Sequence, residues 1–471
     1  MSGVPVARLQ QTALWPVIVM APALLFAVLN PVAFVSVILG VGLALVGLRY
    51  SVQVAGASLV LIPVIDQAFS DNEFTELFGS LRITPGVALK AILAFVIICY
   101  LLRNRVNPLR YRLVRPLVIW LAYCGCTCLF FHDRSLAVSL WLRLLYWVLY
   151  FVFFFVVAAR RPSVDGHVSI SRIAFLWRAG AVALVIFAGS VLLAKMMGIG
   201  GEYYGVGESY GFYQDPWNMA MTLPGLLVLV LLYPWVFGDR SIWTKFSCII
   251  LALVTVLASF LTFTRTSLIA CLSACVLFGL TLRRTISSRE TRLILVLTLV
   301  FASAAALLVW RSMAGSRAGN QVASRWSEVD KGDIGSGRLQ VFYAAWSKFA
   351  NASPVRKLLG HGIGAGPEAA EEYTGIYVYL HDDMLEMLVC AGLVGIVLYC
   401  WSFARIYREI LHGLTTRNIW AVAALVSVCV YNLTSISYMR IYSVTPNTYF
   451  ALVAGTSLGM LHSMTHEESI S

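Results

Sequence analysis

The chain has 471 residues, 59% of them hydrophobic and 12% charged, and carries a formal net charge of +12; its mean hydropathy is +0.81. No soluble domain needs that much apolar surface, and the positive residues are spread over short gaps between apolar runs instead of forming a patch, which argues against nucleic acid as a partner. The runs are near 20 residues long and lack period-two alternation, so the composition predicts an all-α, polytopic helical membrane protein and not a barrel.

Taken in order, the apolar runs predict about fourteen spans (a range of about 12–14). They lie near 12–29, 32–48, 51–69, 83–102, 115–131, 136–158, 176–197, 217–237, 246–263, 266–282, 292–310, 384–403, 418–434 and 444–461. The first has no small-residue cleavage site after it and leads directly into further runs, so it reads as a retained anchor. The organisation expected is N-terminal spans over 1–197, central spans with a Gly/Tyr-rich loop over 198–310, one large loop containing short helices over 311–383, and C-terminal spans over 384–471. No internal repeat is evident.

Orientation follows from the basic residues. Alternate gaps hold Arg49, then Arg103 to Arg115, then Arg160 to Arg178, then Arg240 and Lys245, then Arg283 to Arg292, then Arg405 to Arg417, whereas the opposite gaps carry residues such as Asp71, Glu73, Glu202, Glu208 and Asp215. The positive-inside rule then puts both termini in the cytoplasm and both the 198–216 and 311–386 loops outside it, with the basic gaps against anionic lipid.

The ten cysteines all fall in apolar runs. Cys124, Cys126 and Cys128 are spaced two apart, which on a helix does not share a face, and no His or acid accompanies them; small core residues are the expected reading, and no metal site.

The 198–216 loop alternates glycines with Tyr203, Tyr204, Tyr210 and Tyr213. Aromatic faces stack on sugar rings and glycines allow close approach, though an interfacial aromatic belt has the same composition. Asp215-Pro216-Trp217-Asn218 then opens the next helix with an acid before a first-turn proline. Arg265 lies in Thr264-Arg265-Thr266-Ser267 between two apolar runs, where a guanidinium must pair, meet an anion or snorkel. Lys90 and Arg143 lie inside spans and are expected to pair with other helices.

The large loop holds an amphipathic stretch after Gly337-Arg338. Leu339, Phe342, Ala345, Trp346 and Phe349 fall on one helical face, so a helix lying on the membrane or on the spans is expected there. Arg338 at its start is suited to a bidentate grip on phosphate oxygens. The Gly360-to-Gly366 run, including Gly362 and Gly364, would turn the chain and is capable of presenting N–H groups to an anion. His381 stands at the mouth of the next span, in position for a general base, with Asp382 and Asp383 favouring its charged form and the helix N-terminus opposing it. The alternative, a metal bound by His381-Asp382-Asp383, lacks further ligands at a recognised spacing.

In this order, over roughly residues 200–400, these segments resemble the O-antigen ligase and O-antigen polymerase superfamily of bacterial membrane glycosyltransferases. The residues that carry the resemblance are Asp215-Pro216 with Asn218, Thr264-Arg265-Thr266-Ser267, Gly337-Arg338 with Trp346, the Gly360, Gly362, Gly364 turn, and His381 followed by Glu386, Gly392 and Gly395. Asp382 departs from the Asn or Ser usual there. The resemblance implies an undecaprenyl-diphosphate-linked glycan donor, a glycan or lipid A core acceptor, and an active site on the periplasmic face of the inner membrane. It implies His381 as base, Arg265 and Arg338 as diphosphate-binding groups with Arg325 and Arg311 in reserve, and Asp215, Asn218, Tyr210, Tyr213, Gly362 and Gly364 as substrate contacts. No cofactor or metal is expected; a chain-length regulator or export protein is an expected partner. The large loop favours a polymerase of exopolysaccharide or O-antigen units over a ligase. A lipid-linked oligosaccharide flippase is the reading from another class, and it would predict two related halves.

Overall fold

The computed structural model describes residues 42, 46–47, 49–68, 85–160, 167–197, 201–203, 206–208, 216–239, 241–262, 264–285, 338–375, 379–380, 382–436 and 440–468. In chain order the helices are α1 (Ser51–Ala68), α2 (Pro85–Arg103), α3 (Arg115–Thr127), α4 (Arg134–Ala159), α5 (His167–Met196), α6 (Pro216–Val236), α7 (Ile242–Leu261), α8 (Arg265–Thr285), α9 (Arg338–Ala350), α10 (Pro354–Leu359), α11 (Ala365–Thr374), α12 (Asp383–Thr415), α13 (Ile419–Ser435) and α14 (Val444–Glu468). Every expected span among the described residues falls on one of them. Spans 12–29 and 292–310, and most of 32–48, lie outside the described residues. Among the described residues four segments are long and apolar enough to cross a membrane: α4, Ile170–Ala194 within α5, Trp243–Leu261 within α7, and α12. The other apolar helices are shorter, among them Met221–Val236 and Ile419–Ser435.

One departure from an all-helical chain lies in the 198–216 loop. Gly201–Tyr203 (β1) pairs antiparallel with Val206–Glu208 (β2), Gly201 opposite Glu208. The sequence reading has only a loop here, because a three-residue strand carries too little alternation to register as one.

The centre of the bundle is α4 against α14. On α4 the run Tyr150 to Phe155 is wholly buried. The large aromatic side chains leave room for α14 only where it has none of its own. A Cβ on Gly455 would lie 3.0 Å from the Phe151 carbonyl oxygen, and one on Gly459 2.4 Å from that of Phe155. Two glycines four apart thus let the two backbones touch, as small residues do between membrane helices. Around this axis Trp120, Trp147, Tyr431, Phe403 and Phe450 form a chain of ring contacts, the closest being Tyr431 to Phe450 at 4.5 Å between centroids. Trp177 on α5 donates to Thr456 on α14 at 2.9 Å, and Tyr449 on α14 to the Leu59 carbonyl on α1 at 2.7 Å, so these two buried polar tips are satisfied.

Helix α4 is about 39 Å long, enough to put its ends on opposite sides of a bilayer. The contacts at its two ends involve different connecting segments. At one end His132 meets Glu368 at 3.2 Å, and the Ile441 N–H donates to Asp383 at 2.9 Å. At the other, Arg160 donates to the Asn104 carbonyl at 2.6 Å, the rings of Tyr111 and His462 lie 5.6 Å apart, and Asn418 meets Met464 at 3.2 Å.

Candidate active site

The site is built around a broken helix. At Gly392, inside α12, the backbone leaves helical geometry with φ 65° and ψ −165°. A break strands the last carbonyls before it, and buried carbonyls must find donors. Here the donors come from the turn after α10: the His361 N–H bonds Val389 O and the Gly362 N–H bonds Cys390 O, each at 2.9 Å. The Tyr123 hydroxyl of α3 completes the set on Ala391 O at 3.0 Å. The turn must come very close to do this. A Cβ on Gly360 would lie 2.2 Å from Cys390 O, and one on Gly392 2.5 Å from Gly360 N. Gly362 and Gly364, both at φ 105°, press on Phe131 in the same manner. The glycine run is therefore a backbone clamp on α12, and the amides of Gly360, His361, Gly362 and Ala365 are already engaged.

The first turn of α12 is fixed from three directions. Asp382 caps it, its carboxylate accepting from the Leu385 N–H at 2.9 Å. Asp383, buried, accepts from the Ile441 N–H and from the Tyr431 hydroxyl at 3.4 Å, which ties the helix start to the segment before α14. Glu386 is wholly buried; it takes the Cys390 thiol at 3.3 Å, and a Cβ on Gly366 would lie 2.0 Å from its Oε2. Gly366 thus opens α11 directly on the Glu386 carboxyl. Both of the aspartates beside His381 are engaged with donors of their own.

Of the expected site residues, His381, Arg325, Asp215, Tyr210 and Tyr213 lie outside the described residues, as does Arg311. Arg265 is the first residue of α8 and Arg338 the first of α9, so both sit at helix N-termini; Asn218 lies in the first turn of α6. Gly362 and Gly364 lie in the clamp. The helix that Arg338 opens packs on α11 and α12, and of the face expected on the membrane or on the spans only Ala345 is wholly buried. Val341, Ala344 and Ala345 are buried, while Leu339, Tyr343 and Trp346 are exposed. The small residues face the protein because α11 and α12 approach too closely for large ones. The larger side chains are left on the outside, where a membrane-surface helix carries them.

Other side chains gather here that periodicity does not single out. Arg143 on α4 bears electrostatically on Tyr379, two residues before His381; burial pushes the Tyr379 hydroxyl up and the Arg143 charge opposes it. Lys348 on α9 pairs with Glu372 on α11. Burial pushes the Glu368 carboxyl up, against the influence of His132 and Lys348. Asp382 is raised by burial, opposed by the N–H groups it caps. None of these pairs is at a helical spacing, so only tertiary structure reveals them.

His361 is half-buried, and burial holds its imidazole below the ordinary value of 6.5, with Lys348 and Arg356 adding to the effect. The folded state therefore resists protonation that the unfolded chain accepts. The stabilisation this gives is present above 6.5 and is lost as the pH falls below it. Thermal unfolding of the detergent-solubilised protein from about pH 8 to about pH 5 should show the wild type losing more stability than His361→Asn. Parallel curves would show that His361 titrates as it does in the unfolded chain.

A search of curated proteins finds no match to the chain. Residues 250–400, however, match the family model described as O-Antigen ligase. That segment runs from α7 to the second half of the broken helix, and Arg265, Arg338, the glycine clamp and His381 all lie within it. Over this segment the chain is similar to the O-Antigen ligase family.

Proposed function

We propose that the protein is an inverting glycosyltransferase that uses a polyprenyl-diphosphate-linked glycan, typically on undecaprenyl, as donor and a sugar hydroxyl as acceptor, and that it polymerises repeat units of exopolysaccharide or O-antigen. The observation that carries this reading is that the O-antigen ligase match contains Arg265, Arg325, Arg338 and His381 in one block. His381 takes the proton of the acceptor hydroxyl. The freed oxygen attacks the anomeric carbon from the face opposite the diphosphate, the bond to the diphosphate breaks, and the configuration inverts. Diphosphate is a good leaving group, so the essential help is neutralisation of its growing charge by Arg265 and Arg338, with Arg325 in reserve; no metal is required for that. Asp215, Asn218, Tyr210 and Tyr213 are proposed to contact the sugars, and the basic gaps to face the cytoplasm, which puts the reaction on the periplasmic face. Chain-length regulators and export proteins are the partners such a polymerase calls for.

A second reading is favoured by the family description itself: a ligase that moves finished glycan to lipid A core. Purified protein in proteoliposomes, given a polyprenyl-diphosphate-linked repeat unit, separates the two. A polymerase yields a ladder of lengths from the donor alone. A ligase yields product only when lipid A core is added. Absence of a new glycosidic bond under both conditions would overturn the glycosyltransferase reading, and movement of donor across the bilayer in its place would indicate a flippase.

A further inference from the structure

Between α9 and α11 lies a cleft of 360 Å³, at the small end of the range for ligand pockets. Its floor is made by Ala344, Ala352 and Ala369, and its walls are polar: Ser347, Lys348 and Asn351 from α9 and the turn at its end, His361 from the glycine clamp, and Glu372 and Tyr373 from α11. Lys348 and Glu372 pair with each other, so the walls offer donor and acceptor together without a net charge to select an ion. Asn351 donates to Ser347 at 3.2 Å, which leaves its carbonyl oxygen to accept. The His361 Nδ1 lies 3.3 Å from Val389 O, so Nδ1 carries the proton and Nε2 keeps a lone pair. Tyr373 adds a ring that is 57% exposed.

Polar side chains that between them donate and accept, beside an exposed aromatic residue and small alanines, suit a neutral polyhydroxylated ring. They do not suit a phosphate, for which Lys348 is already neutralised, or an apolar chain, which would strand the polar walls without partners. We infer that this cleft binds one pyranose residue of the glycan, remote from the reacting carbon. The inference rests on the glycosyltransferase reading. Its geometry agrees with that reading, because His361 is anchored to Val389 about 9 Å along α12 from the helix start next to His381. An oligosaccharide held in the cleft by one residue can extend to that helix start.

Remote binding that is equal in ground and transition state sets KM and leaves kcat. Tyr373→Ala and Asn351→Ala should therefore raise KM for the glycan substrate roughly tenfold, with little change in kcat. Tyr373→Phe, which keeps the ring, should restore the KM. Both positions are exposed, so the fold should survive the changes. The direct probe is the lipid-free oligosaccharide of the donor, followed by saturation-transfer NMR on the whole protein in nanodiscs. Transfer of signal to the sugar is expected for the wild type and for His381→Ala, and its loss for Tyr373→Ala. If the wild type forms glycosidic bonds but neither KM nor saturation transfer responds to the cleft variants, the cleft assignment is overturned and the function stands. If the sugar binds through Tyr373 yet no bond forms in proteoliposomes, the cleft assignment stands and the function is overturned.

Discussion

His381→Ala should lower glycosyl transfer by roughly 10²–10⁴-fold, the usual contribution of a general base, while the protein accumulates in the membrane at its wild-type level. The second half of that expectation comes from the residues on either side. Leu380 is wholly buried, Asp382 caps α12, and Asp383 is held by Ile441 and Tyr431. The neighbours of position 381 thus have anchors of their own, so the fold is expected to survive truncation of the histidine. Arg338→Ala and Arg265→Ala should act on the same step through the leaving group, each costing roughly 10²–10³-fold. Arg338→Lys should recover only part of this, since an ammonium keeps the charge but loses the planar fork. Initial rates in proteoliposomes, normalised to the amount of protein, give the answer. Wild-type rates for His381→Ala would remove it from the mechanism.

Gly392→Ala should prevent stable folding, with a loss of about 3 kcal/mol or more. Two effects act at this position. A side chain at φ 65° with ψ −165° is in a region that only glycine occupies readily, and the added carbon would sit 2.5 Å from Gly360 N and 2.6 Å from Leu358 O. Both obstacles are backbone atoms, so no rotamer change relieves the clash. Gly375→Ala is the mild comparison: Gly375 lies in the left-handed region at φ 72° and ψ 7° with nothing within 4 Å of the added carbon, and about 1 kcal/mol is expected there. Thermal unfolding in detergent should rank the two in that order. Equal losses would mean that neither the rarer backbone region nor the close approach at Gly392 carries the expected cost.

Positions 381 and 392 also show what hydropathy can and cannot read. Helix positions are legible because an apolar run of this length satisfies its backbone as a helix whatever it touches. Gly392 is legible only as part of a family pattern: a single glycine in an apolar run looks the same whether it lies in a straight helix or a broken one, and the expected span at 384–403 passes straight through it. Side-chain size shows the apolar face of α9 but leaves open whether it meets the membrane or the spans; in the structure Val341, Ala344 and Ala345 pack, and Leu339 and Trp346 stay outside. The pairs His132 with Glu368 and Lys348 with Glu372 join segments far apart in sequence, so no local spacing announces them.

The bond from Ile441 to Asp383 has a consequence for how the protein is made. A nascent chain carries α12, with the acid that fixes its first turn, well before it carries the donor that acid needs. It also carries the aromatic surface of α4 long before Gly455 and Gly459 arrive to cover it. Until the last helix is inserted, Asp383 lacks the Ile441 donor and α4 lacks its closest neighbour. The last-made of the described helices thus completes contacts of segments made long before it, so a chain interrupted before α14 leaves an unfinished and exposed bundle, open to quality-control proteolysis.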